Sequence, residues 1–468
     1  MKSYTTKEKL NKYSKLVSVS IFWIALWQLG SVIVGNSLLL PSVLETISAL
    51  CTLVREPMFY LDAVWTLFRC ILAILVSFVF GICLSWLAYK SKLIRDLMVL
   101  PVSFFKAVPV MAIVIYVILL VQADWVAVVA CFLMCFPIVY TNILEGLESV
   151  SIELLEVGTI YRIGSKNVLK FIYIPSVMPY FNAAMKIVAG LSWKAVVAAE
   201  VLSVPEFSLG QGMISAKYYL ETPTLFAYIF VIVVLSLVLE KLICKFTEMF
   251  TAIDYVGSKL TDYKIIDGKV ESAPTLKLTN VSKSFGDKQV LKEVEALVYA
   301  GSKIGIVGPS GQGKTTLARI ISGLEKEDYG NIDFSNEIKV SYLFQEDRLL
   351  PWINVYDNLA LVISSNCDST KSEVLEMARM LEIEDSLWKM PGELSGGMRH
   401  RVAIGRTFLA NSNLMILDEP FRGLDEELKV RIVDRLWKKV TQNKTVLVIS
   451  HNKEDMELLG IKEFLFLG

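Results

Sequence analysis

The chain has 468 residues, 54% of them hydrophobic, and its 47 basic side chains balance 47 acidic ones. A mean hydropathy of +0.51 excludes a disordered chain and an ordinary soluble protein, and the zero charge excludes a globally basic nucleic-acid binder. That zero is a cancellation: residues 1–255 hold 19 basic and 16 acidic side chains and the remainder holds 28 and 31, so two parts of +3 and −3 are suited to different solvents.

The first predicted element follows a lysine-rich start, Lys2, Lys7, Lys9, Lys12 and Lys15. The charge-free run Leu16–Leu44 is too long for a signal peptide, and a retained membrane helix ending near Gly35 is expected. A bilayer core needs about 20 apolar residues in helix. Windows of that order recur at Cys70–Tyr89, Ala107–Ala123, Trp125–Leu144 and Thr222–Leu239, and a sixth, Val177–Val204, carries Lys186, Lys194 and Glu200. Six spans are expected. With the N-terminus in the cytoplasm, thirteen Lys and Arg fall on cytoplasmic segments, while only Arg55 and Lys217 fall outside, the bias that sets orientation. Charges within spans face a pathway, pair across helices or snorkel to the interface; Lys106, Lys186, Lys194 and Glu200 are the candidates. Six of the seven cysteines lie before residue 255 without a Cys-x-x-Cys pair, so they read as small apolar side chains. Two histidines, His400 and His451, exclude a His-rich metal centre.

Between the fourth and fifth spans lies the amphipathic stretch Glu145–Pro175, long enough for a loop in a membrane domain to suggest function. Domains are expected at 1–250 and 275–468, with a linker at 251–274. The second domain opens with alternation over Leu276–Val281, a Gly286-Asp287 turn and Gln289–Val298, an antiparallel hairpin. The short strand Lys303–Val307 then runs into Gly308-Pro309-Ser310-Gly311-Gln312-Gly313-Lys314-Thr315-Thr316. This is a phosphate-binding loop. Its glycines let backbone N–H groups face phosphate oxygens, Lys314 reaches the β- and γ-phosphates, and Thr315 ligates Mg2+. The helix Lys314–Ser322 turns its positive end toward the same phosphates.

Two further elements sharpen this chemistry. The apolar strand Leu414–Leu417 ends in Asp418-Glu419; Asp418 can hold Mg2+ through water and Glu419 can polarise the attacking water. Some twenty residues earlier, Ser395-Gly396-Gly397 precedes the helical pattern Met398–Leu409, a second helix N-terminus with free N–H groups.

At this point the second half resembles the ATPase domain of ATP-binding-cassette transporters over nearly its whole length. The resemblance implies roles for further residues. Phe285 matches the adenine-stacking aromatic. Gln345 matches the glutamine that senses Mg2+ and the membrane domain. Leu394-Ser395-Gly396-Gly397-Met398 matches the signature that closes over ATP held by the other subunit. Asp425, in Arg422-Gly423-Leu424-Asp425, matches the dimer-contact loop, and His451, after the strand Thr445–Ser450, matches the histidine on the γ-phosphate. Met398 stands where many members have Gln, and His400 receives no catalytic role. The 17 residues after His451 leave room for one helix and one strand.

Glu145–Pro175 resembles the coupling motif of importer permeases. Glu156-Val157-Gly158 occupies its first part, Arg162 its glycine position and Ile172-x-Ile174-Pro175 its end. Trp193–Glu200, Leu209-Gly210-Gln211-Gly212 and the later Phe344–Trp352 carry a likeness to the nitrate/sulfonate/taurine importer group, in which permease and ATPase are normally separate chains. The expected fold is an all-α six-span type I importer transmembrane domain followed by an α/β P-loop ABC ATPase domain. The resemblance implies ATP and Mg2+ as cofactors, a homodimer, an extracytoplasmic solute-binding protein, a small-molecule substrate and no nucleic acid. It places the chain in the cytoplasmic (inner) membrane with the N-terminus and ATPase domain cytoplasmic. An exporter and a membrane-tethered regulatory ATPase are the competing readings.

Overall fold

Runs of apolar residues without charge leave the backbone no partner in lipid but itself, so the first half is helical throughout. In the computed structural model, described over residues 6–251, 273–309, 311–363 and 367–467, the helices are α1 (Thr6–Val34), α2 (Val43–Leu53), α3 (Pro57–Lys90), α4 (Lys92–Ala107), α5 (Val110–Ile118), α6 (Ala123–Glu148), α7 (Ile152–Ile160), α8 (Ser165–Val168), α9 (Ile174–Ser203), α10 (Leu209–Tyr218) and α11 (Thr222–Thr251). Among the described residues, parts of α1, α3, α6 and α11 are long and apolar enough to cross a membrane, which makes four spans, or five with the bent pair α4–α5, against the six expected; α9, its apolar run interrupted by charges, does not qualify by length and composition alone. The first stops at Val34, where Gly35 takes a positive φ of 61°. The expected single span over Ala107–Ala123 is instead the nine-residue α5, joined to α4 through a bend of 103°. Pro109 explains the break: it forces Val108 into extended backbone and caps the next helix. α9 runs unbroken for 30 residues through all three of its charges.

The described residues fall into two units, Met1–Ser149 with Val177–Ala252, and Val150–Ser176 with Ile253–Gly468. The stretch that the sequence assigns to the permease domain as its coupling element thus folds with the ATPase unit. Most of the expected linker, residues 252–272, and Ser310 lie outside the described residues.

In the membrane unit, α3 and α6 pack closely because Gly81 has no side chain: a Cβ there would sit 2.5 Å from Val139. Ser85 on α3 donates to the Tyr140 carbonyl on α6 at 2.8 Å. Glu200 is fully buried and pairs across helices. Its carboxylate accepts from Arg69 at 3.1 Å, from the Thr66 hydroxyl at 2.9 Å and from the Gly210 N–H at 3.4 Å. Arg69, read from sequence only as the flank of a span, also donates to the Asp124 carboxylate and to the carbonyls of Asp124, Glu206 and Phe207. A buried charge is tolerated only with this degree of satisfaction. Lys194, by contrast, is exposed.

The ATPase unit carries two sheets. The strands β1 (Leu276–Phe285), β2 (Lys288–Val298), β3 (Lys303–Val307), β4 (Tyr329–Phe334), β5 (Val340–Leu343), β6 (Leu414–Asp418), β7 (Thr445–Ile449) and β8 (Glu463–Phe466) form an antiparallel sheet β2-β1-β4 and a parallel sheet β5-β6-β7-β3-β8. The expected hairpin closes with Phe285 opposite Lys288 and Gly286 at positive φ. Apolar β3, β6 and β7 read as continuous hydrophobic runs because the sheet is covered on both faces; every residue of β6 and β7 is buried. Helices α12 (Lys314–Ile321), α13 (Val355–Ala360), α14 (Cys367–Met380), α15 (Gly396–Leu409), α16 (Glu426–Ile432), α17 (Lys438–Val440) and α18 (Lys453–Leu458) complete the unit. One helix and one strand, α18 and β8, follow His451 as expected.

Candidate nucleotide site

The site assembles at the carboxyl ends of the parallel strands, where loops leave the sheet and helices begin. β3 delivers the phosphate loop. A Cβ on Gly308 would meet the Leu467 carbonyl oxygen at 2.4 Å, and one on Gly313, at φ 84°, would meet Leu291 at 2.6 Å. Both positions therefore exclude any side chain. Within α12 the first backbone bond runs from the Leu317 N–H to the Gly313 carbonyl, 2.8 Å. By helix geometry the N–H groups of Lys314, Thr315 and Thr316 have no intrahelical acceptor, so the loop ends in free donors. Lys314 Nζ donates to the Gly308 and Pro309 carbonyls at 2.8 and 2.9 Å, which keeps the cation over its own loop. Gln312 contributes a buried carbonyl oxygen that lacks a hydrogen bond.

β6 lies beside β7, and β7 beside β3, which brings the two acidic residues to this loop. The Thr315 hydroxyl donates to Asp418 Oδ2 at 3.0 Å. Burial pushes the Asp418 carboxyl up to about 6, opposed by the Thr315 hydrogen bond and reinforced by the Glu419 charge. Two hard oxygen donors side by side, one a desolvated carboxylate short of positive charge, fit a magnesium ion. Glu419 takes a positive φ of 53° and donates its N–H to the Ile449 carbonyl at 2.8 Å. Its carboxylate lies 2.6 Å from His451 Nδ1 and accepts from the His451 N–H at 3.2 Å. The sheet thus joins Thr315 to Asp418 and Glu419 to His451, residues separated by 103 and 32 positions.

Other expected residues stand apart. Gln345 is exposed; its carbonyl accepts from Arg422 at 3.0 Å, and its side chain bonds none of these groups among the described residues. Phe285 is 51% exposed, a ring face open for stacking, with Lys283 Nζ 5.4 Å from its centroid. Ser395 caps α15 by accepting from the Met398 N–H at 3.3 Å. Gly397 faces the Gly423 carbonyl, 3.2 Å from where a Cβ would lie. Asp425 caps α16 by accepting from Leu428 at 2.7 Å. Among the described residues, Ser395, Gly396 and Gly397 make no hydrogen bond to the phosphate loop.

A second constellation was not legible residue by residue. Glu156 on α7 accepts from both Arg319 nitrogens, at 2.9 and 2.6 Å, and from Arg348 at 2.5 Å. Burial raises its carboxyl, and the two guanidiniums outweigh that and hold it below the usual range. Arg319 belongs to the helix that follows the phosphate loop, and Arg348 stands three residues after Gln345. The Tyr161 hydroxyl donates to the Tyr342 carbonyl at 3.0 Å and meets Thr407 at 3.2 Å. Arg406, fully buried, lies 5.5 Å from the Tyr161 ring and donates to the carbonyls of Arg348 and Asp347. His400 bridges Asp347 and the Pro420 carbonyl at 3.0 Å each, linking the segment after Gln345 to the segment after Glu419. It braces these two segments against each other.

The comparisons follow the same division. The family profile of the ABC transporter matches residues 291–422. That of the binding-protein-dependent transport system inner membrane component matches residues 77–243. The aliphatic sulfonates import ATP-binding protein SsuB of Zymomonas mobilis is 37% identical over 195 residues, which cover 40% of this chain and 79% of that protein. SsuB 1 of Paracoccus denitrificans is 34% identical, with 40% and 77% covered. The spermidine/putrescine import ATP-binding protein PotA of Pasteurella multocida is 31% identical, and there the match spans only 55% of the relative's length. A dimeric ATP-binding cassette solved in a post-hydrolysis state with ADP and Pi is 27% identical, covering 41% of this chain and 94% of that one, with a TM-score of 0.38.

The chain belongs to the ATP-binding-cassette transporter family. Within it, this is a membrane protein that fuses an inner-membrane permease component and an ATP-binding ATPase in one polypeptide, of the sulfonate/nitrate importer type.

Proposed function

We propose that the chain uses ATP hydrolysis to import a small solute across the cytoplasmic membrane, working as a homodimer supplied by an extracytoplasmic binding protein. The observation that carries this reading is the assembled pair Thr315–Asp418 and Glu419–His451 behind a phosphate loop, on the same chain as an importer-type membrane component. The relatives' names speak of sulfonate and of polyamine import, and both belong to import systems.

ATP supplies the phosphoanhydride bond whose cleavage drives the cycle. The free N–H groups of Lys314–Thr316 and the Lys314 ammonium bind and orient its phosphates. Thr315 and Asp418 are the residues that would hold Mg2+. Glu419 takes the water's proton and His451 fixes the orientation of that carboxylate. Phe285 offers its exposed ring to the base. Ser395, Gly396 and Gly397 present a capped helix N-terminus that, among the described residues, makes no hydrogen bond to the phosphate loop of its own chain, which supports their use on nucleotide held by a second copy. Six spans, the bent pair α4–α5 and α9 among them, would set both the N-terminus and the ATPase unit on the cytoplasmic side, in keeping with thirteen basic residues against two.

The test is Glu419→Gln in the full chain. Removal of a positioned base lowers steady-state hydrolysis by about 10²- to 10⁴-fold while ATP binding persists. Steady-state hydrolysis at the wild-type rate would remove Glu419 from the role of base. Reconstitution in vesicles with a binding protein encoded nearby tests import itself; stimulation by lipophilic compounds without solute uptake would point to an exporter instead.

A further inference from the structure

The membrane unit has an open, concave cavity of about 570 Å3 between α2, the start of α3, α10 and α11, with Glu56 and Glu221 exposed at it and Asp62 half-buried, a volume typical of small-molecule sites. Three carboxylates line it, Glu56, Asp62 and Glu221, and the lining contains no lysine or arginine. Glu56 stands at the N-cap of α3, yet its side chain makes no capping bond. Among the described residues, none of the three side chains has a hydrogen bond or an ion pair. Arg69, the buried cation among the described residues of the unit, is hydrogen-bonded to Glu200 and Asp124, and of the three cavity carboxylates Asp62 feels its charge.

A separate observation points into the same space. Tyr228 on α11 is only 8% exposed, and its hydroxyl has no hydrogen-bond partner among the described residues although it lines the cavity. The ring is packed away while the hydroxyl opens onto the cavity, where it is free to bond a ligand. Gly212, which also lines the cavity, keeps that hydroxyl's place open: a Cβ there would lie 2.5 Å from it. Gln211 and Ser215 add further polar groups on the α10 side. An excess of negative charge focused in a concave site concentrates cations and repels anions, and a tyrosine ring at the wall adds attraction for a desolvated cation.

We propose that this cavity binds a small organic cation, an amine or a protonated nitrogen heterocycle, and that the imported solute belongs to that class and not to the sulfonates of the relatives. The solute class rests on the import reading; the charge preference of the cavity does not. A basic side chain from a docking protein is the competing occupant, and a concave site with an unpaired phenol in its wall favours a solute.

The experiment places a reporter thiol in the cavity, Ser215→Cys, in full-length protein whose Cys51, Cys83, Cys244 and Cys367 are replaced by Ser. Its modification by a trimethylammonium-bearing and a sulfonate-bearing methanethiosulfonate is timed without ATP, so a failure here leaves the import reading to be judged by vesicle uptake. The expected ratio of rates favours the cationic reagent by about tenfold more than in the added presence of E56Q, D62N and E221Q, and it falls with salt. Benzyltrimethylammonium is expected to slow the labelling, and benzenesulfonate at the same concentration is not. Basal ATP hydrolysis reports whether the neutralised protein is folded; if it is not, the salt dependence of the S215C ratio alone decides the charge preference. Equal rates, a ratio insensitive to salt, or slowing by benzenesulfonate would overturn the proposal. So would protection by a binding protein alone with none from the organic cation.

Discussion

Arg162 occupies the position where the importer coupling motif has glycine, and its φ of 49° is the left-handed conformation that glycine adopts freely. The arginine gains bonds to Glu337 and to the Ile338 carbonyl, at 3.0 and 2.7 Å, on an exposed surface where such pairs contribute little. Arg162→Gly and Arg162→Ala both lose those bonds and differ only in backbone. The glycine variant is therefore expected to be the more stable by about 1 kcal/mol, the reverse of the order at an ordinary helical position; denaturant unfolding of the two variants measures it.

Lys444 gives a pH-dependent case. Burial pulls its ammonium down to about 8, and a single bond to Ser412 at 3.3 Å compensates in part. The unfolded chain binds that proton more tightly than the folded one. The fold is thus penalised by a constant amount below pH 8 and gains stability as pH rises from about 8 toward the ordinary lysine value. Lys444→Met is expected to raise stability at pH 7 by about 1–3 kcal/mol and to remove that rise. Thermal unfolding between pH 7 and 10 checks both, and an unchanged pH slope would contradict the assignment to Lys444.

Among elements, α7 has the clearest consequence. Its Glu156 joins α12 through Arg319 and the segment after Gln345 through Arg348. Val157, Ile160 and Tyr161 share the core that contains Leu317 and Ile416. Trp352 donates its indole N–H to the Phe171 carbonyl at 2.5 Å, and Phe171 and Ile172 pack with Leu350 and Ile353. A surface loop would make none of these contacts. Glu156→Gln leaves two guanidiniums facing a neutral amide and is expected to destabilise the ATPase unit by about 1–3 kcal/mol. The fall in unfolding temperature should shrink in the double variant Glu156→Gln with Arg348→Met, because one of the two orphaned charges is gone. A double variant with additive losses would show that the pair is not coupled. Hairpin, strands and the helix after the phosphate loop were legible at this scale, because local alternation and glycine positions fix them. The break at Pro109 was written in the sequence too, but a charge-free window outweighed one proline.

For the whole molecule, the proposed homodimer makes a quantitative prediction. A chain with Lys314→Ala and a chain with Ser395→Arg should each be inactive as a pure assembly, since every composite site is spoiled. Co-assembled at random, half the dimers are mixed, and each mixed dimer keeps one intact site and one doubly spoiled. Roughly a quarter of wild-type hydrolysis should then return. No recovery in mixtures shown to contain both chains would sink the shared-site arrangement.

The sequence by itself determined the division into a bilayer half and an aqueous half, the phosphate loop, the acidic strand end and the family, because these depend on composition and on residues close together in the chain. The tertiary structure alone decided that residues 150–176 fold with the ATPase unit, that Glu200 is neutralised by Arg69, that Thr315 touches Asp418 while Glu419 touches His451, and that three unpaired carboxylates and a buried phenol face one cavity. Each of those pairings joins positions far apart in the chain, brought together by burial of apolar faces, and no local pattern encodes which distant partner a buried polar group will meet.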